Sequence, residues 1–298
     1  MNAAPRLASP VLRPVERHED LRLGMRHLAP VGLSEPRWLR DGGDRHWELI
    51  AEALGQEGTA FRDPEGHAVY AAFCATDLQL APVIRPLLAA RVTIRSRLHA
   101  VSPNALGSEQ QILGPDGPLG CLRMISCFLR HDETGSNRRL LRGNLPGMAP
   151  LPPATAALDR LQATARCIAR LMRRDSPTGP AILRYKPVPT MDFNAAGLLY
   201  FPTFSKIAEM ACPGSTPLLR RQIVYLGNLD PGEDISVEAM QDDGTATTLL
   251  LRAKGRVLAQ VTTQRGQVDY PTFDVTKGYG GPSGSPDYNS HQYRHNAA

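Results

Sequence analysis

The sequence predicts an α+β fold of two tandem halves, each pairing a helix with an antiparallel sheet. Three observations carry that expectation. Segments such as Arg91–Val101 alternate apolar and polar residues, as half-buried strands do. A largely apolar helical stretch precedes a meander in each half. The run Gly143-Asn-Leu-Pro-Gly-Met-Ala-Pro-Leu-Pro-Pro divides the chain near its middle.

Residues 1–20 carry three prolines and mixed charge without periodicity, and read as a flexible tail. The first half, 21–142, has a helix at Asp44–Leu54, with Asp44 as N-cap and Trp47, Ile50, Ala51 and Leu54 on one face. Val69–Leu80 suits a buried element. In Arg91–Val101, Val92, Ile94, Leu98 and Ala100 alternate with Arg91, Thr93, Arg95, Arg97 and His99. Pro115-Asp-Gly-Pro turns Ser108–Leu113 back into Leu119–Arg130.

After the linker, 143–154, the second half (155–275) opens with an amphipathic helix at Thr155–Arg173 carrying Leu158, Leu161, Ala165, Ile168 and Met172. Its arginine-rich end suits the negative pole of the helix dipole. An extended Ile182–Pro189 and an apolar helix at Gly197–Ala211 follow. Strands at Leu219–Leu226, Asp234–Met240, Thr245–Ala253 and Arg256–Gln264 close the half, turned at Asp243-Gly244 and Lys254-Gly255. Residues 276–298, rich in Gly, Ser, Tyr and Asn, read as a second tail.

Composition excludes several classes of function. An aromatic content of 6% argues against a base-stacking surface. No run approaches the roughly 18 apolar residues of a membrane helix, and the first residues lack the apolar core of a secretory signal, so a cytoplasmic protein is expected. Five scattered cysteines without a Cys-x-x-Cys pair fit a reduced compartment rather than a disulfide framework or zinc site. The eight histidines show no metal-ligand spacing, and no nucleophile elbow, phosphate loop or dinucleotide fingerprint occurs.

Two stretches carry a resemblance. One is Leu23-Gly-Met-Arg-His-Leu-Ala-Pro-Val-Gly-Leu-Ser-Glu with Gly43-Asp44-Arg45-His46-Trp47; the other is Asp192-Phe-Asn-Ala-Ala-Gly-Leu-Leu-Tyr-Phe-Pro-Thr-Phe. Together they resemble the LnmK-like acyltransferase/decarboxylase family, double-hotdog proteins of polyketide biosynthesis clusters, and most closely a branch of undefined activity. The resemblance implies a double hotdog, two sheets each wrapping a central helix. It also implies that a first-half tyrosine accepts the acyl group of methylmalonyl-CoA, and that the enzyme decarboxylates that group and passes the propionyl product to an acyl carrier protein. Ala68-Val69-Tyr70-Ala71-Ala72-Phe73 places that role on Tyr70. The chain departs from the family at Cys74 and Ala75, and in reading Asn-Ala-Ala-Gly where relatives often have Asn-Gly-Ala-Gly.

Decarboxylation of a malonyl-type thioester generates an enolate, which fixed hydrogen-bond donors stabilise. Asn194–Gly197 is expected to open a helix, with Asn194 and the Gly197 backbone as oxyanion donors or as an ordinary N-cap. Tyr70 is either a nucleophile needing a base or a core tyrosine with its hydroxyl tied to backbone; His27, His46 and His67 are the nearby histidines. Asp192 either activates water or abstracts a proton, as acidic residues do in hotdog thioesterases and dehydratases, or caps the same helix. His27, Gly197 and Trp47 are the candidate substrate contacts, with core packing the alternative for Trp47. No resident cofactor is expected: the CoA or phosphopantetheine thioester is itself the substrate. Arginine clusters at Arg138/Arg139/Arg142, Arg170/Arg173/Arg174 and Arg220/Arg221 either steer CoA or an acidic carrier protein or are solvated surface. Hydrolysis or dehydration of a thioester, and non-catalytic binding of a carrier-bound intermediate, stand as alternatives; monomer and homodimer are both open.

Overall fold

Alternation along the strands sorts the chain onto two sides of one sheet. The computed structural model describes residues 14–82, 87–242, 244 and 246–266; the expected C-terminal tail lies outside them. Eleven strands are described: β1 Glu16–Arg22, β2 Tyr70–Leu80, β3 Arg91–Ser102, β4 Ala105–Gly114, β5 Gly117–His131, β6 Leu140–Arg142, β7 Ala181–Tyr185, β8 Leu218–Tyr225, β9 Ile235–Asp242, β10 Ala246–Ala253 and β11 Arg256–Arg265. The helices are α1 Glu35–Ala53, α2 Ala156–Arg174, the single turn α3 Pro189–Asp192, and α4 Phe201–Ala211. No described helix is long and apolar enough to cross a membrane.

The sheet runs β1-β3-β4-β5-β2-β8-β11-β10-β9-β7, with β6 added beside β5. Every ladder is antiparallel, but the expected meander holds only for β3-β4-β5 and β9-β10-β11: β2 crosses over to pair with β5 and β8 to pair with β11. The halves join where Ala75–Gln79 of β2 pair with Val224–Arg220 of β8. The face carrying Leu78, Leu122, Met124 and Ile223 packs on α1 and α4. Lys254 and Gly255 both have positive φ, as a two-residue hairpin turn requires, and join β10 to β11 as expected.

Three expectations are corrected. The stretch read as a tail through residue 20 instead contributes β1, an edge strand against β3 whose charged side chains hid it from a hydrophobicity pattern. The first helix starts nine residues earlier than Asp44, at Glu35 after Ser34, with Pro36 in its first turn. Gly42 and Gly43 lie inside it because the facing wall is close: a Cβ on Gly43 would stand 2.8 Å from Cε1 of Phe201.

The third correction concerns α2, read as the opening of the second half. It lies across the seam on the sheet face opposite α1 and α4. Leu158 and Leu161 are buried against Ala75 and Ile125 of the first half and Val224 of the second. Burying two leucines is worth about 1.5–3 kcal/mol each. A further tie at the seam is electrostatic. Arg221 of β8, 2% exposed, donates to both carboxylate oxygens of Glu35 on α1 (3.1 and 3.2 Å), to Glu209 of α4 (2.6 Å) and to Thr263 (2.6 Å).

Candidate functional site

Tyr70 opens β2 directly across from Leu129 of β5. Residues two apart on a strand share a face, which brings the Tyr70 ring edge-on to His131, with centroids 5.5 Å apart and an interplanar angle of 77°. Both side chains are half-buried. Among the described residues the Tyr70 hydroxyl has no hydrogen-bond partner, so the reading of a core tyrosine tied to backbone does not hold.

The β2–β8 ladder stops at Ala75, so at Tyr70 the strand β2 is paired with β5 alone, and the second half reaches this end of the sheet through its loops at Gly197 and Leu229–Asp230. The link to those loops is Asn137, buried in the β5–β6 connection. Its Nδ2 donates to the carbonyls of Gly197 (2.6 Å) and Leu229 (2.9 Å), and its backbone N–H donates to Asp230 (2.7 Å). With both amide hydrogens directed at carbonyls, Oδ1 is the accepting end, and it meets Nε2 of His131 at 2.9 Å. In the neutral imidazole Nε2 therefore carries the proton and Nδ1 is left as the basic nitrogen.

Gly197, whose φ is +72°, belongs to a closed turn rather than a helix start. Phe193 bridges Leu199, Oδ1 of Asn194 accepts from the N–H groups of Ala196 (3.0 Å) and Leu198 (3.1 Å), and the Gly197 N–H donates to the Asn194 carbonyl (2.9 Å). The helix begins only at Phe201, with Tyr200 as N-cap. The expected oxyanion role of the Gly197 N–H is thus corrected, because that donor is already bonded. What the turn keeps is Nδ2 of Asn194, which has no partner among the described residues.

Asp192 is 1% exposed and fully engaged. Oδ2 accepts from the Tyr185 hydroxyl (2.7 Å) and the Val188 N–H (2.8 Å), while Oδ1 pairs with Lys206 of α4. Burial pushes its pKa up, but the bonds from Lys206, Val188 and Tyr185 outweigh that and hold it below the usual carboxylate range. The expected cap on the helix of 197–211 is corrected: the carboxylate binds the N–H of Val188, the N-cap of α3, instead. To serve as a water-activating base it would have to give up Tyr185 or Lys206.

The other candidates are spread through the first half. Nδ1 of His27 accepts from the Gly24 N–H at 2.9 Å, closing a short 3₁₀ turn, and burial followed by Arg26 and Arg37 lowers its pKa. Trp47 donates from Nε1 to the Ala71 carbonyl (3.1 Å) and packs on Phe61, which is the core role. His46 lies in the middle of α1, bonded to the hydroxyls of Ser108 (2.8 Å) and Ser126 (2.7 Å), and burial depresses its pKa to about 3. His67 pairs with Asp63 (3.1 Å). Of the arginine clusters, Arg221 is buried and Arg138 pairs with Glu233, whereas Arg170, Arg173 and Arg174 are exposed on the last turns of α2.

The residues that sequence reasoning missed are His131 and Asn137. Neither sits near a recognisable motif; the β2–β5 register finds His131, and the contacts of the β5–β6 connection with the second half find Asn137, neither of which sequence alone supplies.

Neither a protein-family model nor a curated protein matches the sequence. Solved structures do match in shape. An acyl-ACP thioesterase from Bacteroides thetaiotaomicron superposes with a TM-score of 0.62 at 8% identity, covering 85% of this chain and 98% of that one. The 12:0-ACP thioesterase from Umbellularia californica gives 0.62 at 11% identity, with 85% and 98% covered. Those matches span both halves together. The chain is a double hotdog. In this double hotdog α1 and α4 are the two central helices, and Asn137 joins Tyr70 and His131 of the first half to the turn before α4 of the second.

Proposed function

We propose that the protein processes acyl thioesters, with Tyr70 as acyl acceptor and His131 as its base. The observation that carries this reading is the fixed imidazole beside an unbonded phenol: Asn137 holds the Nε2–H tautomer, leaving Nδ1 to take the Tyr70 proton. The phenolate oxygen attacks the thioester carbonyl, whose oxygen the Nδ2 of Asn194 stabilises. The C–S bond breaks, and the leaving thiolate recovers the proton from Nδ1. With a malonyl-type group, loss of CO₂ from the O-acyl intermediate gives an enolate that takes a proton at carbon from solvent water. A carrier thiol, giving its proton to Nδ1 of His131, then attacks the acyl carbon; the C–O bond to Tyr70 breaks and the phenolate takes that proton back. The resemblance to LnmK-like proteins supports the decarboxylating version and a CoA donor. The fold shared with acyl-ACP thioesterases supports thioester chemistry with a carrier-bound substrate.

The test is intact-mass analysis after incubation with malonyl-CoA and methylmalonyl-CoA. Wild-type protein is expected to gain one acyl group, and Tyr70→Phe none while remaining folded. An adduct that persists in Tyr70→Phe, or turnover lost in Asp192→Asn but kept in Tyr70→Phe, would overturn the assignment.

A further inference from the structure

The sheet face opposite α1 and α4 holds a feature this chemistry does not use. Where α2 crosses β2, β5 and β8, its contact is apolar on the side toward Tyr70, through Leu158 and Leu161. On the other side the strands present Asp77, Arg123, Arg220 and Gln222, and the helix adds Arg160 and Thr164, around a cavity of about 310 Å³. The space beneath an amphipathic helix is ordinarily filled by apolar side chains. Here it is lined by charge.

Asp77, 4% exposed, organises the wall. Its oxygens accept from Nε (2.6 Å) and one terminal nitrogen (3.2 Å) of Arg220, and Arg123 stands 3.9 Å away with its own Nε on Glu109 at 3.1 Å. These pairs fix two guanidinium groups in place yet leave several of their five N–H donors unassigned. Arg160 has neither an ion pair nor a hydrogen bond among the described residues, and the same is true of the Gln222 and Thr164 side chains. Three arginines against Asp77 leave the lining at +2, or +1 with Glu109 included. Positive charge presented as guanidinium forks, two of them fixed against Asp77 and Glu109, matches phosphate oxygens, and the volume falls at the small end of metabolite pockets.

We propose that this pocket binds a phosphate-bearing metabolite, gripped by Arg160 from the helix and by the free donors of Arg123 and Arg220 from the sheet. It is a separate site from Tyr70: the two lie seven residues apart along β2, about 23 Å, with the Leu158 and Leu161 contact between them. Because the ligand touches α2, β5 and β8 at once, it ties the crossing helix to both halves.

Isothermal titration of the full chain with inorganic phosphate, pyrophosphate and AMP tests this at one fixed salt concentration. At least one probe is expected to bind saturably, and the stronger of pyrophosphate and AMP tells an inorganic from a nucleotide source. Arg160 is exposed, so Arg160→Ala keeps the fold, which its unliganded melting curve verifies, and should weaken binding about tenfold or more. Gln222→Leu should weaken it severalfold. Absence of saturable binding by all three probes into the millimolar range, or an affinity unchanged in Arg160→Ala, overturns the proposal.

Discussion

Replacing Asn137 by Ala separates the bridge between the halves from everything else at the seam. The variant keeps the backbone N–H bond to Asp230 but loses three side-chain bonds: to Gly197, to Leu229 and from His131. Each is worth about 1 kcal/mol net, and the enclosed Leu229 carbonyl, left without a donor, costs about 1–3 kcal/mol. Water reaches the Gly197 and His131 ends, since Gly197 is exposed and His131 half-buried, so the expected total is about 2–4 kcal/mol. Urea denaturation followed by circular dichroism measures it as a lower midpoint at unchanged slope. Nitrogen NMR of the histidines supplies a second readout, because loss of the Oδ1 acceptor should let His131 populate the Nδ1–H tautomer. A stability change below about 0.5 kcal/mol with an unaltered His131 spectrum would refute both the bridge and the fixed tautomer.

His46 makes stability depend on pH. Its folded pKa of about 3 lies below the unfolded value near 6.5, so its contribution is complete above pH 6.5 and falls by about 1.4 kcal/mol per unit as pH drops toward 3. Urea midpoints at pH 7 and pH 5 should therefore converge in His46→Gln, which keeps polar contact with Ser108 and Ser126. Gly43→Ala sets a Cβ 2.8 Å from the Phe201 ring; overpacking should cost about 1–3 kcal/mol, and adding Phe201→Leu should recover part of it in a double-mutant cycle. Charge reversal at Arg170, Arg173 and Arg174 should weaken binding of an acidic carrier protein and flatten its salt dependence; affinity insensitive to both would rule out docking on that helix end.

Much of the fold was legible because antiparallel strands with one buried face write alternation into the sequence: β3, β5 and β8 through β11 fall within a few residues of their expected places. β1 was not legible, since an edge strand rich in Glu, Arg, His and Asp signals solvent rather than pairing. The front of α1 was hidden by Gly42 and Gly43, which look like a break until the walls at Leu122 and Phe201 explain why no side chain fits. The site was only half visible. Tyr70 and the Asn194 turn came through resemblance, whereas His131 reaches Tyr70 by cross-strand register and Asn137 reaches Gly197 across 60 residues of chain. Asp192 was visible as an acidic residue, but not its commitment to Lys206 and Tyr185.

The seam has a consequence for stoichiometry. In a symmetric pair of identical subunits every contact occurs twice, so a residue at the interface must suit both copies of its partner. One chain carrying both halves is free of that requirement. Gly43 against Phe201, Glu35 against Arg221 and Asn137 against Gly197 each occur once, and neither half repeats the other's version. The protein therefore holds a single Tyr70–His131 pair for two central helices. On the proposed role of Tyr70, saturating acylation is expected to stop at one equivalent per chain, whatever the oligomeric state.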